Sequence, residues 1–154
     1  MKKILLGILV LGLLVGCGSK GGGLGGGNKL VCSYAESDGS DFVTTISHSG
    51  DKVTKVNMVS SMVIDDPSYV DMMAGLFESA MSAYDNIKGL DAKIVVSDAK
   101  DKISMVFDID LDKLDYAALA SLSGSADMLG GMDKDSRSLA KIRASLESEG
   151  YTCK

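Results

Sequence analysis

The 154-residue sequence predicts an α+β fold: one antiparallel β-sheet with helices packed on one face, in the order β-β-β-α-β-β-α. Three observations carry this expectation. Ile103, Met105, Phe107, Ile109 and Leu111 alternate with Lys102, Ser104, Asp108, Asp110 and Asp112, as in a strand dry on one side and wet on the other. Ser49-Gly50-Asp51 separates two alternating runs, the mark of a β-hairpin. After Asp65-Asp66-Pro67 the apolar period changes to three- and four-residue steps through Val70, Met73, Phe77, Ala80, Met81 and Tyr84, which puts one helical stripe against a core.

Taken in order, folded structure is expected to begin at Lys29. Leu30, Cys32 and Tyr34 alternate with Val31, Ser33 and Ala35, and Asp38-Gly39-Ser40 breaks this first strand. A second strand covers about Phe42 to His48. A third runs from Lys52 towards Ile64, with Val56, Met58, Met62 and Ile64 on one face. The first helix has an aspartate at its N-cap and a proline at its first position, and it is expected to end at Lys88-Gly89. Ala92, Ile94 and Val96 share one face of the next strand, and Asp98-Ala99-Lys100-Asp101 turns the chain into the alternating strand already described. A short helix around 114–122 leads into a Gly/Ser/Met loop through Met132. The last helix is expected to start near Asp135 or Ser136, to bury Leu139, Ile142 and Leu146, and to stop at Gly150, before an extended tail through Lys154.

The N-terminus has a different character. Lys2 and Lys3 precede an apolar run from Ile4 to Val15, too short for a bilayer span of about 20 residues and suited to a secretory signal. Leu14-Val15-Gly16-Cys17 resembles the lipobox of bacterial lipoproteins. The resemblance implies a signal peptide over 1–16, cleavage before Cys17 and a diacylglyceryl group on its thiol. The alternatives are a plain secretory signal with an incidental cysteine, or an uncleaved anchor. Residues 18–28 are nearly all glycine and read as a flexible tether with a reach of about 18 Å. No GK[ST] follows these glycines, so a phosphate-cradling loop is not formed there. The expected organisation is therefore a signal (1–16), a lipidated Cys17 with its tether (17–28), and a single domain (29–154) on the extracytoplasmic face of the cell membrane.

Charge narrows the partners. Without Lys2 and Lys3, 14 basic side chains face 21 acidic ones, a net charge of −7. An acidic domain is held off an anionic membrane surface and lacks the basic footprint that nucleic acid requires. The membrane partner is expected to be reached through the lipid anchor at Cys17, and the sequence does not identify a ligand or protein partner. Of three cysteines, Cys32 and Cys153 remain once Cys17 is lipidated. Export favours one disulfide between them, the alternative being two buried free thiols.

An ordered set of short segments extends the reading. The lipobox at Cys17, Val31-Cys32-Ser33-Tyr34, Gly50-Asp51-Lys52-Val53-Thr54-Lys55, Asp110-Leu111-Asp112-Lys113-Leu114-Asp115 and Gly150-Tyr151-Thr152-Cys153-Lys154 together resemble the YehR-like lipoproteins. The likeness covers about Lys29 to the end. It implies a domain of unknown function and brings no catalytic residues.

Candidate chemistry is sparse. His48, the single histidine, sits beside a hairpin turn and lacks the partners of a triad or zinc site. Asp108, Asp110 and Asp112 resemble the start of a calcium loop, but its sixth position is Lys113 and its twelfth Leu119, where glycine and glutamate are needed. The same aspartates read as a solvated sheet face. No catalytic residue, metal site or cofactor is therefore expected. Met72, Met73 and Met81 read as core, and a small-molecule site would be expected between the first helix and the sheet. Two functional classes follow: a non-enzymatic envelope-binding lipoprotein, or, as the alternative, an envelope enzyme using the Asp108/Asp110 pair, about 7 Å apart on one strand face.

Overall fold

The computed structural model describes residues 28–122 and 136–154. Cys17, the rest of the N-terminal segment and most of the Gly/Ser/Met loop lie outside them. The chain runs β1 (Asn28–Ala35), β2 (Asp41–Ser49), β3 (Lys52–Val63), α1 (Val70–Met81), β4 (Leu90–Val96), β5 (Lys102–Asp110), α2 (Tyr116–Ala120), α3 (Leu139–Ser148) and β6 (Thr152–Cys153). These strands form one antiparallel sheet in the order β4-β5-β3-β2-β1-β6, an α+β architecture.

The helices pack on one face. Leu30, Ile46, Val56, Leu90 and Ile109 point towards α2 and α3, where Leu119 is buried and Leu139, Ile142 and Leu146 close the layer. Beneath α1, Val70 and Ala74 meet Ile103, with Met73, Phe77, Ile94 and Val96 around them. Leu111 and Leu114 extend the core beyond the end of β5. A register shift sharpens this face. Ser47 pairs with Lys55 but His48 pairs with Val53, so Thr54 is an extra residue on β3. The bulge turns both Val53 and Val56 inward, three residues apart, where strict alternation would allow only one. The Thr54 carbonyl accepts from the Leu111 amide at 2.9 Å, so the interruption leaves that group satisfied.

Several boundaries differ from expectation. Asp66 does cap the first helix, its carboxylate accepting from the Ser68 amide at 2.9 Å, but Pro67–Tyr69 is a 3₁₀ turn before α1 begins. The α-helix ends at Met81, short of Lys88-Gly89, and gives way to a second 3₁₀ turn at Ser82–Tyr84. Gly89 is required for another reason: at φ +83° it lies against the Leu114 backbone, where an added Cβ would come within 2.5 Å of the Leu114 nitrogen. The buried stripe of α1 is Val70, Ala74 and Met81, whereas Ala80 and Met72 face outward, Met72 being 57% exposed. The last helix starts at Leu139, later than expected, because Ser138 caps it and Asp51 holds its first turn. The Asp51 carbonyl accepts from Leu139 at 2.7 Å and its carboxylate from the Ala140 amide at 3.0 Å.

The C-terminal tail closes one sheet edge. Lys154 and Val31 exchange backbone hydrogen bonds of 2.8 and 2.9 Å, Cys32 stands opposite Cys153, and their sulfurs are bonded. Tyr151 packs on Tyr34, with ring centroids 5.7 Å apart.

Candidate functional site

The opposite face of the sheet carries no helix among the described residues. Its side chains form transverse rows fixed by the strand register. Val43, Val59 and Val106 make a half-buried apolar row across β2, β3 and β5. On one side of that row a polar network closes on itself: Lys102 Nζ reaches Asp41 at 2.7 Å and Ser104 Oγ donates to Ser61 Oγ at 3.0 Å. Burial pushes the Asp41 carboxyl up, but the hydrogen bonds from Lys102 and Ser61 outweigh it, and the net shift is downward.

On the other side of the row the face is concave. Thr45, Asn57, Asp108 and Asp91 align in one row, and Ser47, Lys55 and Asp110 in the next. With Lys29 and Lys113 they line a depression of about 670 Å³. Alternation alone places Asp108 and Asp110 here, since Ile109 between them is buried on the helix side. The two carboxylates are not equivalent. Asp108 accepts from Asn57 Nδ2 at 2.7 Å. Asp110 lies between Lys113 Nζ at 2.9 Å and Lys55 Nζ at 3.6 Å. The Lys113 hydrogen bond holds the Asp110 carboxyl below the ordinary carboxylate range against the opposing effect of burial, and Asp110 in turn raises the Lys113 ammonium. A carboxylate fixed in its ionised form suits ionic recognition better than proton donation.

Asp112 lies beyond the strand and serves the scaffold. It meets Lys52 at 3.1 Å and Arg137 at 2.8 Å, tying the β2–β3 hairpin to the segment leading into α3. The three aspartates of the calcium-like spacing thus diverge to separate partners. Among the described residues no group of three or more histidine, cysteine or acidic side chains converges as a metal site would require. His48 Nδ1 lies 2.8 Å from the Gly50 carbonyl, within its own turn.

The depression lies on the face away from the helices, a different place from the expected one between α1 and the sheet. Sequence reasoning found Asp108 and Asp110 but missed Lys29, Thr45, Ser47, Lys55, Asn57 and Lys113. The signal was present in the polar positions that alternate with the core residues of β2 and β3. Joining them to the aspartates needed the β3–β5 pairing, which no local pattern encodes.

Residues 33–152 match the family described as protein of unknown function, DUF1307. The chain belongs to this family. It is similar in structure to the Escherichia coli YehR protein, with a TM-score of 0.62 and 21% identity over 83% of this chain and 92% of that one. It is also similar to a protein from Streptococcus pneumoniae TIGR4, with a TM-score of 0.57 and 13% identity over 100% of this chain and 96% of that one. At these identities the two likenesses establish the shared fold of a YehR-like domain. No curated protein matches the sequence.

Proposed function

We propose that this chain is a membrane-anchored extracytoplasmic lipoprotein, tethered through a lipid on Cys17, whose domain works as a non-enzymatic binding module. The helix-free face of the sheet is its binding surface. The observation that carries the binding reading is the depression itself: a concave surface with fixed carboxylates and exposed ammonium groups, on a sheet face that no helix occupies. Such a lining suits a small polar ligand bearing both signs of charge, or a charged segment of an envelope protein. The anchoring reading rests on the basic start, the short apolar run and Leu14-Val15-Gly16 directly before Cys17. One acyl chain anchors only marginally and two anchor stably, so diacylation would keep the chain at the membrane while the glycine tract leaves its orientation free.

The reading as a carboxylate-pair enzyme has less support. Two lysines engage Asp110 and favour its ionised form over the proton donor that a carboxylate pair needs, and Asp108 is engaged by Asn57. Labelling cells with a tagged fatty acid tests the anchor. The parent chain should be labelled and membrane-bound, and Cys17→Ala should be unlabelled and accumulate as precursor or in the soluble fraction. Equal labelling of the variant would refute lipidation at Cys17.

A further inference from the structure

The two edges of the sheet are finished differently. The β6 edge has only two residues in its strand. The β4 edge has seven, and among the described residues β4 pairs with β5 alone. Its backbone polarity follows from the hydrogen bonds at either end: Asp110 donates to the Gly89 carbonyl at 2.7 Å, and Ser97 donates to Lys102 at 2.9 Å. In an antiparallel ladder the residues that face the partner strand alternate, so Asp91, Lys93 and Val95 turn their backbone groups to β5. Ala92, Ile94 and Val96 therefore turn theirs outward, and among the described residues no hydrogen bond satisfies them. A row of open donors and acceptors of this kind is a template for another strand.

Charge selects the strand that fits. Asp91 and Lys93 are both exposed on the open face of β4, two residues apart, and neither takes part in an ion pair among the described residues. Asp91 stands directly opposite Asp108 on β5, a like-charge juxtaposition that is unfavourable. An antiparallel copy of β4, placed about a two-fold axis at Ala92, answers both facts. In that register Ala92 faces the partner's Ala92, where small side chains allow close approach. Asp91 faces the partner's Lys93, and Lys93 faces the partner's Asp91. Shifting the dyad by one residue to Lys93 would set the two lysines against each other.

We propose that the β4 edge is a homodimer interface, in which two copies of this chain pair antiparallel about Ala92 and join their sheets into one. Two symmetric Asp91–Lys93 pairs set the register. Each copy contributes its Lys93 to the rim of the other's depression, beside Asp91 and Asp108, and lessens the repulsion between those two carboxylates. The proposal stands on the strand register and charges alone and does not require the lipid anchor or a bound ligand.

The test is sedimentation equilibrium of the full chain in a density-matched detergent, with micelles in excess over protein. The parent should show a concentration-dependent monomer–dimer equilibrium. Lys93→Asp alone and Asp91→Lys alone should each weaken it by about tenfold or more, since each replaces two attractive cross-strand pairs by repulsive ones. The double variant Asp91→Lys/Lys93→Asp should restore it. Ala92→Pro removes an outward-facing N–H and no bond to β5, so it should abolish dimerisation while the far-ultraviolet circular dichroism stays that of the parent. A parent that remains monomeric at every concentration would overturn the proposal, as would an edge that pairs only with a foreign peptide. A dimer indifferent to the single exchanges, or one that the double exchange fails to restore, would place the interface elsewhere.

Discussion

The two faces of the sheet are built from the same strands and do different work. On β5, Ile103 and Ile109 are almost wholly buried beneath the helices, whereas Ser104, Asp108 and Asp110, interleaved with them, meet side chains or solvent on the open side. The helix face gains stability from apolar area removed from water, and its residues are interchangeable within limits of volume and shape. The open face contributes little of that kind. Its aspartates and lysines hold particular partners at particular distances, and exposed pairs of this sort are worth about 0–1 kcal/mol each. The difference teaches that a buried apolar layer and a surface of paired charges can be separated by the pleat of a single strand, one residue apart.

The largest effect should come from the edge of the helix face, where the Cys32–Cys153 bridge joins the tail to β1 across 121 residues of sequence. The chain-entropy model puts the stabilisation from a loop of this length at just under ~5 kcal/mol as an upper figure. Thermal melts with and without reductant should show a fall in midpoint of many degrees, and Cys153→Ser should melt like the reduced parent. A reduced protein melting with the oxidised one would show that the tail is held by its strand pairing and the Tyr34–Tyr151 contact alone.

A smaller pair of substitutions breaks the comparison itself. Ile109→Ala leaves a cavity beneath the helices and should destabilise by about 2–5 kcal/mol. Asp108→Ala, one residue away on the open face, should change stability by no more than about 0.5 kcal/mol. Urea unfolding of the two variants measures both. Equal losses would mean that the open face is part of the stabilising core.

The smallest effect is electrostatic. The Asp110 carboxyl titrates below its usual value of 3.8, so its native value is the lower of the two states. It therefore contributes stability that is present above about pH 4 and is lost as the pH falls through the native value. Asp110→Asn should flatten the acid limb of the stability–pH curve and leave its shape above pH 5 unchanged. Added salt should flatten the parent's limb in the same direction. An acid limb identical in parent and variant would show that Lys55 and Lys113 do not hold this carboxylate.

Much of the helix face was legible in the sequence because burial is periodic: the alternation of β5, the hairpin at Gly50 and the change of period at Pro67 each report a local environment. Val53 was not legible, because the bulge at Thr54 breaks the alternation that would have identified it. The end of α1 was misplaced because Gly89 carries a strong helix-stop signature while serving a close approach to Leu114. Ala80 fell on the expected stripe by spacing alone, and the packing direction of the helix favours Ala74. The depression was half legible. Asp108 and Asp110 announce themselves by spacing, but Asn57, Lys55 and Lys29 join them only through pairings between strands distant in sequence, and a surface that spans three or more strands has no one-dimensional signature.

The proposed division of labour is an open face that binds and a helix face that supports it. Native mass spectrometry of the full chain, extracted from the cell envelope in mild detergent, tests this most directly when the parent is set beside Lys55→Met/Asp108→Asn. The parent should carry a non-covalent adduct that is lost from the double variant, with the unfolding free energies of the two within about 1 kcal/mol of each other. A parent that carries no adduct, or a double variant that retains the same one, would contradict it.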